Sequence, residues 1–342
     1  MAVYSNVCFC WFAELFLQYT KGCNMEQHRS EQKIPLIVIV GPTASGKSKL
    51  AVKLAQWKKT EIVSADSMQI YRGMQIGTAK PTEEEMQGIT HHLIDFVNLE
   101  QSFSVADYVV LAKRCVAAIA QQGKLPIMVG GTGLYINSFL NNLQFTSQDK
   151  DKDLCDQLAR KAERQGIEML VEELRSFDPQ SADRIDPHNV SRIIRAIEIY
   201  RTTGITMTEH MIHSRLEPSP YSYCMIGLDY TDRNILYEQI NQRVEKMLEM
   251  GLVKEAREVL EFKNSQTALQ AIGYKELIPY FYGDLTLHEA VDNIKRETRR
   301  YAKRQLTWFR RNQNIHWLKV DEIGSTEKLI EQAKKIVENF KF

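Results

Sequence analysis

No apolar run approaches the ~20 residues needed to cross a bilayer, so the 342-residue sequence offers no membrane span. Neither sign of charge is in real excess. The 44 basic and 43 acidic residues leave a net charge of +1, which excludes a uniformly basic nucleic-acid coat but not a local one. Cysteine is sparse, at six residues, and no two are spaced as a CxxC pair. That argues against a structural zinc site and suits a reducing compartment. The nine prolines and 17 glycines form no low-complexity stretch and no internal repeat is visible. With 44% hydrophobic and 25% charged residues the composition is that of an ordinary folded protein. At ~150 residues per domain the length allows about two domains.

Residues 1–24 fit poorly with the rest of the chain. Val7–Leu17 (VCFCWFAELFL) is apolar but interrupted by Glu14, with no basic residue before it and no small-residue cleavage site after it. It reads neither as a membrane span nor as a signal peptide. Met25 is the expected natural start, and residues 1–33 read as an amino-terminal extension.

Ile34–Val40 (IPLIVIV) has no polar face, the pattern of a strand buried on both sides of a parallel sheet. A glycine-rich turn comes next, then helical spacing over Gly46–Lys58. Glu61–Ala65 reads as a short strand ending at Asp66. Ser104–Gln121 reads as an amphipathic helix with Val105, Tyr108 or Val109, Ala112 and Val116 on one stripe. Leu125–Val129 is another buried strand, closed by Gly130, Gly131, Thr132 and Gly133. Beyond about Leu140 the character changes. Residues 141–153 are polar, 153–217 are helical without a strand candidate, and Tyr223–Tyr230 restores a strand. From Arg233 onward the chain reads as helical. The expected fold is α/β: a parallel-sheet core like that of the phosphate-loop NTPases, with a mostly helical insertion. Its expected parts are residues 34–140 (core, first part), 141–220 (insertion) and 221–342 (core, second part).

The strongest motif is Gly41-Pro42-Thr43-Ala44-Ser45-Gly46-Lys47-Ser48, which fits G-x-x-x-x-G-K-[ST] between a buried strand and a helix. Backbone N–H groups at such a turn cradle a di- or triphosphate. Lys47 adds a point charge and Ser48 can ligate Mg²⁺. The loop specifies a polyphosphate without specifying ATP. Asp66-Ser67-Met68-Gln69 comes after the second strand, on the same carboxyl rim of the sheet. A carboxylate there can bind a metal, act as a base or simply cap a turn, and the Gln69 amide can read a base edge. The third strand ends in glycines rather than in a second metal-binding acid, which weakens an ATPase reading. Thr132 offers a hydroxyl at that end.

Asp186–Tyr200 places Asn189, Arg192 and Arg195 on one helical face, and Val190, Ile193, Ile194 and Ile197 on the other. This is either a base- or phosphate-binding face or an ordinary solvated one. Lys295–Arg311 carries eight basic residues against one acid, net +7 over 17 residues, interleaved with Tyr301, Gln305, Trp308 and Phe309. Basic charge among stacking aromatics is the footprint of a nucleic-acid backbone and its unpaired bases. Gln270–Lys275 is a Gly-Tyr turn. Arg243 by itself reads as a surface arginine. The histidines, His91-His92 included, lack metal-ligand spacing.

In order along the chain, GPTASGKS (41–48), DSMQIYRGMQIGTAKP (66–81), GGTGLY (130–135), NVSRIIRAIEI (189–199), AIGYKE (271–276) and AKRQLTWFRR (302–311) resemble the motifs of the tRNA dimethylallyltransferases, or tRNA isopentenyltransferases. The resemblance runs from about Pro35 to about Leu318. It implies transfer of the dimethylallyl group of dimethylallyl diphosphate to N6 of the adenine immediately 3′ of the anticodon. Gly41, Pro42, Thr43, Ala44, Ser45, Gly46, Lys47 and Ser48 would then hold the diphosphate of the prenyl donor, with Mg²⁺ on Ser48. Thr43, Lys47, Asp66 and Arg243 would be the catalytic set, Asp66 taking a proton or hydrogen bond from the attacking amine. Contacts to the tRNA anticodon stem-loop are implied for Asp66, Ser67, Met68, Gln69, Thr132, His188, Asn189, Val190, Ser191, Arg192, Gln270, Ala271, Ile272, Gly273, Tyr274, Lys275, Lys303, Arg304, Gln305, Trp308 and Arg310. A cytoplasmic monomer without a membrane partner is expected. The linker 146–157 (TSQDKDKDLCDQ) departs from the family pattern, since no arginine opens the insertion.

Three other functions share parts of the pattern. A phosphate-loop small-molecule kinase leaves the basic aromatic helix without a task. Prenyl transfer to free adenine nucleotides needs neither the insertion nor that helix. An RNA-binding switch without turnover gives Asp66 and Arg243 no role.

Overall fold

The structure, a computed structural model, describes residues 33–145, 151–262 and 267–342. The expectations for the amino-terminal extension and Met25, and for residues 146–150 of the linker, lie outside these. The first part of the chain forms β1 (Ile34–Val40), α1 (Lys47–Lys58), β2 (Ile62–Ser64), α2 (Glu83–Met86), β3 (His91–His92), α3 (Val105–Gln121), β4 (Ile127–Gly130) and α4 (Gly133–Leu140). Five helices come next: α5 (Lys152–Gln165), α6 (Glu168–Phe177), α7 (Pro179–Arg184), α8 (Val190–Thr203) and α9 (Met207–His213). The chain then returns through β5 (Tyr221–Asp229), α10 (Arg233–Glu249), α11 (Leu252–Glu261), α12 (Ile278–Tyr282), α13 (Leu287–Phe309), β6 (Ile315–Lys319), α14 (Val320–Ile323) and α15 (Thr326–Asn339).

The six strands make one sheet in the order β3-β2-β4-β1-β5-β6, and every pairing is parallel. β1 is central, with Val40 opposite Gly130 of β4 on one side and Gly227 of β5 on the other. Its apolar run serves two cores. Leu36, Val38 and Val40 pack with α3 and α4, whereas Ile37 and Ile39 pack with α1 and α15. Burial on both faces is what removes the polar alternation from the sequence. Ser104 caps α3 in a capping box with Asp107, and its apolar stripe enters the first core through Tyr108, Val109, Ala112 and Val116.

Between β4–α4 and β5, helices α5 to α9 bury a separate apolar cluster that includes Leu158, Leu170, Leu174, Ile193 and Ile197. Val190, expected on the apolar face of α8, is 37% exposed because the first turn overhangs that cluster. Residues after Arg233 are not all helical. β6 adds an edge strand with only Ile315 and Leu318 buried, too short and too polar to stand out between two helices. The two-residue β3, formed by His91 and His92, closes the opposite edge.

Candidate active site

β1 delivers the chain to Gly41, and α1 starts at Lys47 with Gly46 as its N-cap. That cap contributes no side-chain hydrogen bond. The first amides of the helix therefore face outward for an anion. Ala44 and Gly46 both have positive φ, 62° and 83°, which curls the backbone into the cradle. Lys47 Nζ folds back and donates to the Pro42 carbonyl at 3.1 Å. The loop opens into a cavity of ≈ 540 Å³ lined by Thr43–Ser48, Asp66, Gln69, Gly130, Arg243, Lys246, Tyr301 and Gln305, among others. Sequence positions 43 to 305 thus converge at the carboxyl edge of the sheet.

The charges in this cavity perturb one another. Burial and the neighbouring Arg243 lower the Lys47 ammonium to about 8, with Asp66 opposing them. Burial also lowers the Arg243 guanidinium, against the pull of Asp66 and Glu85. Arg243 is therefore no ordinary surface arginine. It reaches the cavity from α10, which is fastened to α13 by Arg299–Asn241 (2.7 Å) and by the Lys295–Glu245 ion pair. Two cations held beside one carboxylate form a site for an anion carrying more than one charge.

Asp66 Oδ1 accepts the N–H groups of Met68 (2.9 Å) and Gln69 (3.3 Å). Oδ2 has no hydrogen bond among the described residues, which leaves one oxygen for a ligand. Thr132 Oγ1 accepts the Ser67 N–H at 3.0 Å, joining the β2 and β4 ends of the rim.

Several residues expected to contact nucleic acid also have partners within the protein. The Gln69 amide nitrogen donates to the carbonyls of Thr78 (3.2 Å) and Ala79 (3.1 Å) and holds its own loop, while Oε1 has no hydrogen bond among the described residues. Asn189 is the N-cap of α8, its carboxamide bonded to the Arg192 N–H. Ala271 and Tyr274 are buried, whereas Gln270 and Lys275 stay exposed. Gln305, 5% exposed, accepts the Thr43 N–H (2.9 Å) and donates to the Gly131 carbonyl (3.0 Å). It ties α13 to the phosphate loop and to the β4 turn. A Cβ on Gly131 would lie 2.1 Å from the Gln305 amide nitrogen, so a larger residue there would displace the Gln305 bridge.

The basic flank of α13 is also less free than its sequence implies, because two of its acidic partners, Glu245 and Asp229, come from elsewhere in the chain. Lys295 pairs with Glu245, Arg300 with Glu297, and Arg310 with the buried Asp229 at 2.7 Å. Lys303 and Arg304 are exposed and have no ion pair among the described residues. Arg304 lies over the Tyr301 ring at 5.7 Å, and Arg311 over Trp308 at 5.7 Å. His188, Ser191 and Arg192 are exposed at the start of α8.

Tyr301, which the sequence marks only as an aromatic of the basic segment, and Lys246, which it does not mark, both line the cavity. Burial, then the Asp66 charge, pushes the Tyr301 hydroxyl up to about 12, while hydrogen bonds to Thr132 and Gln305 oppose the shift. The available signal was helical phase: Tyr301 lies four residues before Gln305, and Lys246 three after Arg243, on shared helix faces.

No group of three or more His, Cys, Asp or Glu side chains suited to a metal occurs among the described residues. Mg²⁺ does not require one, because it keeps waters and binds substrate phosphate oxygens. The exposed Ser48 hydroxyl at the cavity fits a single-ligand role of that kind. No helix among the described residues is long and apolar enough to cross a membrane.

The model of the IPP transferase family matches residues 69–312. A tRNA dimethylallyltransferase of Acetivibrio thermocellus is 48% identical over 307 residues, covering 89% of this chain and 98% of its own. One from Bacillus subtilis is 48% identical over 287 residues, covering 83% and 90%. The full-length tRNA isopentenylpyrophosphate transferase of Bacillus halodurans superposes with a TM-score of 0.67 at 43% identity, over 90% of this chain and 96% of that one. A eukaryotic dimethylallyltransferase acting on tRNA superposes with a TM-score of 0.75 at 26% identity, over 90% and 80%. Motif order, sheet topology and these likenesses lead to one conclusion: the chain belongs to the IPP transferase family, the tRNA dimethylallyltransferases.

Proposed function

We propose that the chain transfers the dimethylallyl group of dimethylallyl diphosphate to N6 of the adenine immediately 3′ of the anticodon in tRNA, releasing diphosphate. The observation that carries this reading is the hydrogen-bonded bridge of Gln305. It joins the phosphate loop to a helix that exposes cationic Lys303 and Arg304 immediately before Gln305. A small-molecule kinase needs no such union of an anion cradle with a basic helix.

The chemistry is set by the charges. The adenine amine is a weak nucleophile because its lone pair is shared with the ring. The allylic carbon compensates by bearing positive charge as its bond to the diphosphate oxygen breaks. As that bond breaks, N6 bonds to the carbon and gives up a proton to the open oxygen of Asp66, a role supported by the absence of any hydrogen bond to that oxygen among the described residues. Thr43–Ser48, Lys47 and Arg243 hold the departing diphosphate, and this electrostatic contribution is the largest. Bound Mg²⁺, with Ser48 as a protein ligand, would further neutralise the leaving group. The adenine must leave its stack, at a cost of a few kcal/mol that is smaller in a loop than in a duplex. Backbone contacts by Lys303 and Arg304 offset that cost. The protein acts as a monomer in the cytoplasm, where its tRNA is.

The test is a paired assay with Mg²⁺. One reaction holds unmodified tRNA and radiolabelled dimethylallyl diphosphate, the other ATP with tRNA or small acceptors. Label in the tRNA without ATP turnover supports the transferase. ATP turnover without prenyl transfer overturns it. A second expectation concerns α13. The Lys303→Ala, Arg304→Ala pair weakens tRNA binding and lowers the slope of log K against log salt by about one to two, whereas Arg310→Ala, neutralised in advance by Asp229, lowers it by less. Equal slopes for all three proteins would mean that this flank does not touch phosphate.

A further inference from the structure

Gln75, Ile76 and Gly77 aim three successive backbone N–H groups at one point, a cup of the kind that binds anions. The occupant is the Glu255 carboxylate of α11. Its oxygens accept from Gln75 (2.9 Å), Ile76 (2.9 and 3.0 Å) and Gly77 (2.9 Å), and from the Tyr274 hydroxyl (2.7 Å). Glu255 is 8% exposed and forms no ion pair among the described residues, so these donors compensate its buried charge. Lys80, whose positive charge is felt here, is committed to Asp95 and to the Tyr71 carbonyl. The Tyr274 ring lies so close to Gly77 that a Cβ there would be 2.4 Å from it.

This cluster has two ends. Inward, the loop that carries the cup lines the cavity at Gln75, Ile76 and Thr78, and Gln69 buttresses it. Outward, Tyr274 belongs to the segment that exposes Gln270 and Lys275. No hydrogen bond or ion pair among the described residues joins Glu255 to the phosphate loop or to Asp66, so the cluster acts on the cavity through its wall at Gln75, Ile76 and Thr78. We propose that Glu255 and Tyr274 are positioning residues: through the 75–77 cup they fix the 75–78 wall of the cavity, which on the transferase reading faces the acceptor, relative to the exposed segment at Gln270 and Lys275. This rests on the transferase reading of the same cleft.

The experiment uses full-length Tyr274→Phe, Glu255→Gln and the double variant, with tRNA and labelled dimethylallyl diphosphate. Glu255→Gln puts an amide donor against backbone donors, whereas Tyr274→Phe keeps the ring on Gly77 and removes a single bond. Expected are a fall in kcat of roughly tenfold for Tyr274→Phe and up to about a hundredfold for Glu255→Gln, with affinity for inorganic diphosphate unchanged. The double variant should match Glu255→Gln alone, because both act on one carboxylate. Wild-type kcat in Tyr274→Phe would overturn the proposal, as would parallel losses of kcat, diphosphate affinity and melting temperature. If Glu255→Gln does not fold, Tyr274→Phe decides. Wild type run alongside separates the two levels. No label in its tRNA overturns the transferase reading and this proposal with it; normal transfer by wild type and variants alike overturns this proposal only.

Discussion

Lys47→Met should lower kcat for prenyl transfer by ~10²–10³-fold, the scale for removing one preorganised group that stabilises a developing anion. Affinity for the donor should fall with it, and tRNA binding should not. The reason lies in the geometry. Lys47 Nζ is 3.1 Å from the Pro42 carbonyl, and burial and Arg243 bring its pKa down to about 8. A bound diphosphate reverses that balance by supplying the missing negative charge. This fixes the sign of the pH dependence. The protonated form binds the anion, so donor affinity is full below about pH 8 and falls as pH rises through it, by up to tenfold per unit. Titrating a non-transferable allylic diphosphate analogue calorimetrically checks this, with Lys47→Arg as the control that keeps its charge. A wild-type affinity that does not move between about pH 7 and about pH 9.5 would show that Lys47 stays charged without its ligand.

Asp66→Asn should reduce kcat by ~10²–10⁴-fold, the range for losing a general base. Affinity for tRNA and for inorganic diphosphate should stay within about twofold of wild type, since uniform binding is a separate contribution. This substitution is informative because asparagine preserves the local fold. Its carbonyl oxygen can still accept from Met68 and Gln69, as Oδ1 does now. Only the second oxygen, which has no partner among the described residues, changes from an acceptor with charge to an amide donor. A single-turnover measurement separates the chemical step from binding. A near-normal single-turnover rate would reduce Asp66 to a turn-forming residue.

Four of the expected contact residues have a partner within the protein. Gln69, Asn189, Tyr274 and Gln305 all lie in motifs that mark the family, yet each is occupied inside the protein: with the Thr78 and Ala79 carbonyls, the Arg192 amide, the Glu255 carboxylate, and the Thr43 and Gly131 backbone respectively. A motif marks a position that matters without saying whether the side chain faces a ligand or another element. The basic segment of α13 shows the same thing in electrostatics. Its net +7 is a local count, and Glu245 and Asp229, distant in sequence, cancel part of it.

By itself the sequence determined the phosphate loop, the doubly buried β1, the amphipathic α3 and the placement of a helical stretch between two parts of an α/β core. Each of these is written in local chemistry: glycines where the backbone must curl, β-branched residues where both faces are covered, and a 3.6-residue period where one face is. The resemblance implied a set of Lys47, Asp66 and Arg243, which the structure brings into one cavity, whereas the tertiary structure alone decided that Gln305 bridges the phosphate loop to α13 and that Glu255 fills the 75–77 cup. Those depend on contacts between residues up to 262 positions apart. Burial and the field of distant charges, rather than any local pattern, set what such side chains do.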